Sequence, residues 1–142
     1  MHRLILSALI ALCSLPASAA GEQDQIVDRL TWDFAEFVHH FRGRNWEGVC
    51  RFVTDRTKAG FGGEAGCIGV RQVFAENERC WEEMVFTLRQ GCKRTGSGAN
   101  LSCVAPPQFT DDRVSYLGAR AAFSYKRESK RWMADYLICG GD

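Results

Sequence analysis

Apolar residues recur at helical spacing through the first half of the chain and alternate at strand spacing near its end. Ile26, Leu30, Phe34, Phe37, Val38 and Phe41 form one stripe and predict a helix over residues 24–42, with Gly43 as its stop. Asp28, Trp32, Ala35 and His39 lie away from that stripe, also at helical spacing. The favoured expectation is that another element or loop covers Trp32. The alternative is that Trp32 and His39 mark a partner surface. Asn45 is a good N-cap for a second helix over 46–57, whose buried face is Trp46, Val49, Cys50, Phe52 and Val53. The glycine-rich stretch 60–66 lacks the lysine and Ser/Thr of a phosphate-binding loop, and no strand precedes it, so it reads as a connector. A third helical region spans 67–90 through Val70, Val73, Phe74, Asn77, Trp81, Met84, Val85 and Leu88, ending at Gly91. Asn77 on that face predicts a kink or a buried polar group that needs a partner. Val85, Phe86 and Thr87 leave a strand over 80–90 as the competing assignment.

The pattern then changes. Residues 101–105 predict a short strand broken by Pro106-Pro107, and Asp111-Asp112 a turn. Residues 113–142 hold two strand-like runs around the polar turn Arg127-Glu128-Ser129-Lys130. Pairing Arg127 with Lys130 sets Tyr125 against Trp132, Phe123 against Ala134, Ala122 against Asp135 and Ala121 against Tyr136. Large residues thus oppose small ones except beside the turn. Gly118 predicts a bulge or bend that lets the sheet curve. The class expected is α+β: three N-terminal helices packed on a curved antiparallel sheet, in one domain over 21–142.

Residues 1–20 carry His2 and Arg3, an apolar run from Leu4 to Leu12 and the small-x-small site Ala17-Ser18-Ala19, which together predict a secretory signal peptide. Cleavage near Ala19/Ala20 removes Arg3 and leaves 17 basic against 17 acidic side chains. That balance argues against a nucleic-acid or anionic-membrane partner. Six of the seven cysteines remain: Cys50, Cys67, Cys80, Cys92, Cys103 and Cys139. An even number in a secreted domain implies three disulfides, with fifteen connectivities open. A Cys92–Cys103 bond would close the polar loop between them. No C-x-x-C occurs, and the histidines left are the neighbours His39 and His40, so neither a metal site nor another cofactor is expected.

Two segments carry a family resemblance. NWEGVCRFVTDRTKAGFGGEAGCIGVRQVF (45–74) is similar to the short-helix, loop and third-helix part of secreted bacterial members of the nuclear transport factor two-like (SnoaL-like) cone superfamily. RVSYLGARAAFSYKRESKRWMADYLI (113–138) resembles their terminal strands. The resemblance implies a Cys50–Cys67 bond; with Cys92–Cys103 also assigned, Cys80–Cys139 is left. It further implies a cone whose sheet and first helix enclose a pocket, used by some members for catalysis and by others for binding alone. Asp33, His40, Tyr116 and Asp135 are the candidates to line it, since a desolvated carboxylate there could serve as a general base.

Other chemistry has little support. G-x-S-x-G is absent, three disulfides leave no reactive thiol, and the acidic neighbours Glu82-Glu83 and Asp111-Asp112 do not face each other across a substrate. Lys126, Arg127, Lys130 and Arg131 make the hairpin turn basic, which suits a solvated edge. The function expected is a secreted, periplasmic binding domain without catalysis, such as an inhibitor or immunity-type protein with a protein partner in the envelope. The alternatives are a small-molecule enzyme or lipophilic-ligand carrier using the cone pocket, or an accessory domain of an envelope assembly. A filled cone would count against the enzyme and the carrier.

Overall fold

The computed structural model describes residues 18–62, 67–110 and 118–139. Five helices precede a four-stranded antiparallel sheet: α1 (Ser18–Arg42), α2 (Trp46–Cys50), α3 (Asp55–Gly60), α4 (Ile68–Glu76) and α5 (Glu78–Arg89), then β1 (Lys93–Thr95), β2 (Ser102–Ala105), β3 (Arg120–Lys126) and β4 (Arg131–Ile138). The strands lie in the order β1-β2-β3-β4. The α+β class and the packing of the helical layer on the sheet match expectation. Most of the proposed signal peptide, the 111–112 turn and Tyr116 lie outside the described residues.

Two helices expected to be continuous are divided. The segment predicted as 46–57 breaks after Cys50, because Val53 leaves helical geometry to form a parallel bridge with Ala134 of β4. Thr54 then restarts the helix, its hydroxyl accepting the Thr57 N–H. The region 67–90 breaks at Asn77, the position of the expected kink, and Asn77 is not a buried polar group. It is exposed, and its side chain caps α5 by accepting the Cys80 N–H at 3.1 Å. Residues 80–90 are helical, not a strand.

The hairpin follows the expected register beside its turn, with Tyr125 opposite Trp132 and Phe123 opposite Ala134. Beyond that point it shifts. Ala122 pairs with Tyr136 and Ala121 with Leu137, so Asp135 is an extra residue rather than the partner of Ala122. Gly118 lies at a bend, as expected, but just before β3 rather than inside it, and the bulge at Asp135 is a second irregularity of the hairpin.

The core forms where α1 crosses the sheet. Ala105, Ala121 and Ala134 are buried and small, leaving room for rings from the helices. Phe123 meets Phe34 and Phe37 edge-to-face at 5.2 and 5.1 Å, and Phe41 meets Phe74 at 5.0 Å. Such pairs contribute roughly 0.5–1.5 kcal/mol each beyond the area they bury. Trp132 is enclosed, its indole N–H donating to the Ile26 carbonyl at 2.7 Å. Trp81 donates likewise to the Phe41 carbonyl at 3.1 Å. The Arg44 guanidinium lies over the Trp81 ring and pairs with Glu78, tying the α1–α2 turn to α5.

The outer edge of β4 is occupied at Trp132 and Ala134. The Trp132 N–H donates to Asp33 on α1, and Ala134 exchanges backbone hydrogen bonds with Phe52 and Thr54. Three disulfides hold the layers together. Cys50–Cys67 joins α2 to the start of α4, Cys92–Cys103 closes the β1–β2 loop, and Cys80–Cys139 ties α5 to the end of β4.

Candidate functional site

The described pocket candidates, Asp33, His40 and Asp135, do not converge on one pocket. Between α1 and the sheet, the expected cone interior is filled by Phe37, Phe52, Phe123, Met84, Leu88 and Trp132, each at most 1% exposed. Four cavities among the described residues are clefts open to the surface.

Asp33 is buried in this packing, yet it has a structural task. One carboxylate oxygen accepts the Trp132 N–H at 2.9 Å, and the other lies 3.0 Å from Arg29 Nε one turn earlier on α1. The i, i+4 spacing supplies the cation, and β4 supplies the donor. Asp33 lines none of these four clefts.

His40 sits at the boundary of the α1 stripe. Asn45 donates from Nδ2 to its Nδ1 at 3.1 Å, and its Nε2 lies 3.7 Å from Glu36. The same Asn45 accepts the Gly48 N–H at 3.1 Å as the cap of α2. The imidazole lies flat against Gly48, where an added Cβ would come closer than 3.0 Å to three ring atoms. His40 is thus a packing residue between α1 and α2.

Asp135 does line a cleft. The bulge turns it outward with Tyr136, beside Arg56, Thr57, Phe61 and Leu137, around a space of about 290 Å³. Its carboxylate accepts from the hydroxyls of Thr54 and Ser124, each at 3.1 Å, and from Lys126 Nζ at 3.3 Å. Burial alone pushes the carboxyl up. The Thr54 hydroxyl, the Lys126 ammonium and the Ser124 hydroxyl together outweigh that and hold it below the ordinary 3.8. A carboxylate held ionised by three donors is a poor proton acceptor, so this arrangement serves anchoring better than general base catalysis.

Trp32 and His39 lie on the outer face of α1, both exposed. Trp32 is 73% exposed, which corrects the expectation that a neighbouring element covers it. Phe86, 70% exposed, was not among the sequence candidates. It lines a groove of about 370 Å³ with Glu82, Glu83, Pro106 and Ala119. Its signal was available: Phe86 falls outside the apolar stripe of its helix, among Glu82, Glu83 and Arg89. The described residues contain no cluster of three or more His, Cys, Asp or Glu with metal-ligating geometry. No described helix is long and apolar enough to cross a membrane.

No family model, curated protein or solved structure matches the chain.

Proposed function

We propose that this chain is a disulfide-stapled binding domain of an oxidising, extracytoplasmic compartment, engaging a protein partner through the outer face of α1 without chemistry of its own. The observation that carries this reading is the exposure of Trp32 on a helix whose other face fills the core. A large ring left in water has no folding role there, and tryptophan is the residue type most enriched among the anchors of protein interfaces. The filled interior and the committed carboxylates weigh against an enzyme or carrier working inside a cone. Three staples support the extracytoplasmic assignment. They also suit an inhibitor-like task, because a rigid surface loses little ordering entropy on binding. The element order, helices followed by a terminal antiparallel sheet, supports placement in the cone superfamily.

The test is paired capture from solubilised cell envelope, with the oxidised protein and its Trp32→Ala variant immobilised side by side. A protein retained by the first and lost from the second is expected. Equal retention by both, or no specific retention, would overturn the reading.

A further inference from the structure

The three disulfides differ in what their breakage would leave behind. Thiol–disulfide exchange begins when an external thiolate attacks one sulfur and expels the other as a thiolate, so the leaving group governs which bond yields. Cys80 is 2% exposed and Cys103 is 1% exposed, each among apolar core residues. Attack at Cys139 or Cys92 would therefore expel a thiolate into an apolar interior that cannot solvate it. Cys50 and Cys67 are both half-buried, and both line an open cleft of about 290 Å³ with Trp46, Ile68, Arg71 and Glu47, whose carboxylate is paired with Arg51. Either sulfur of this bond can leave into a wetted site.

The two sulfurs are not equivalent. Cys67 is the N-cap of the nine-residue helix α4, and its side chain makes no capping hydrogen bond in the disulfide form. A thiolate at that position meets first-turn N–H groups with no side-chain cap and the positive end of the helix. Arg71, one turn on, lines the same cleft. Cys80 also lies in the first turn of a helix, but the Asn77 side chain already caps that end and the sulfur is enclosed.

We propose that Cys50–Cys67 is an exchange-competent disulfide, reduced selectively by thiols through attack at Cys50 with Cys67 as the leaving thiolate. The incoming thiolate forms a mixed disulfide with Cys50, and the Cys50–Cys67 bond breaks, its electron pair going to Cys67. A second thiolate then attacks the reagent's sulfur in the mixed disulfide and releases Cys50 as a thiolate. Two thiols are oxidised to one disulfide, and the protein gains two thiol groups once both thiolates are protonated. The product frees the start of α4 from α2 while the other two staples stay closed, making this bond a redox switch in the helical layer.

The oxidised full chain is incubated with graded reduced glutathione and, separately, with a reduced protein dithiol such as thioredoxin. Free thiols are alkylated at intervals and mapped by peptide mass spectrometry, with circular dichroism in parallel. In the thioredoxin arm Cys50 and Cys67, and in the glutathione arm Cys67, should become labelled at least about tenfold faster than the other four cysteines. The glutathione adduct should accumulate on Cys50 rather than Cys67, and Arg71→Glu should slow the reaction several-fold with secondary structure unchanged. A response to only one reagent identifies the source of the thiol and keeps the selectivity. Labelling of all six together, earlier opening of another pair, or an adduct chiefly on Cys67 would overturn the proposal.

Discussion

Asp33 accepts the backbone N–H of Trp132 at 2.9 Å, joining the middle of the first helix to the last strand across 99 residues of sequence. The contact satisfies an outward-facing N–H of an edge strand and fixes the height at which Trp132 enters the core. Asp33→Ala leaves that donor buried without a partner and is expected to cost about 2–3 kcal/mol in denaturant unfolding. Asp33→Asn keeps an acceptor and should cost clearly less. Equal losses for the two variants would show that the hydrogen bond is not what Asp33 supplies.

Gly48 should resist any side chain because the His40 ring occupies its Cβ space. Gly48→Ala is expected to destabilise by roughly 1–3 kcal/mol through overpacking. His40→Ala made alongside should recover much of that loss. A double-mutant cycle on unfolding free energies measures the coupling, and additive effects would contradict the packing described.

Asp135 gives a pH dependence of known sign. Its folded-state pKa is depressed below 3.8, so the folded state releases this proton more readily than the unfolded chain. The resulting stabilisation is complete above the unfolded value and is lost as pH falls through the folded one. Asp135→Asn should therefore be less stable than the parent at pH 7, by about 1 kcal/mol. The gap should narrow below about pH 4 and close in stronger acid. Thermal unfolding of both proteins between pH 2 and pH 7 checks this, and a gap that widens in acid would reverse the assignment.

The staples should differ in worth because they close loops of different length. Cys80–Cys139 spans 59 residues, Cys50–Cys67 spans 17 and Cys92–Cys103 spans 11. Chain-entropy arguments give about 4 kcal/mol for the first and about 3 kcal/mol for each of the others. Paired Cys→Ala substitutions followed by denaturant titration should place the Cys80–Cys139 pair as the costliest loss.

Much of this architecture was legible in local pattern. The α1 stripe and the pairs beside the hairpin turn depend on residues close in sequence, where spacing alone carries the signal. The departures arise where distant partners intervene. Nothing near Val53 announces a bridge to Ala134, so its apolar rhythm reads as continuous helix. The extra residue at Asp135 looks locally like one more step of alternation, and only the return of Leu137 to the core exposes the shift. For Asp33 the Arg29 contact is readable at i, i+4, but the Trp132 N–H is not. The exposure of Trp32 is a statement about what does not pack on α1, and periodicity cannot supply it.

The partly covered edge of β4 bears on how this protein can associate. Strand-to-strand growth, the route by which sheets run into fibrils or swapped dimers, needs a free ladder of backbone groups. At one side of the sheet Asp33, Phe52 and Thr54 already occupy that ladder at Trp132 and Ala134. At the other side β1 is only three residues long, and two of them are the exposed cations Lys93 and Arg94. Strand addition at these positions is therefore blocked or opposed by charge, which limits templated aggregation through the described sheet.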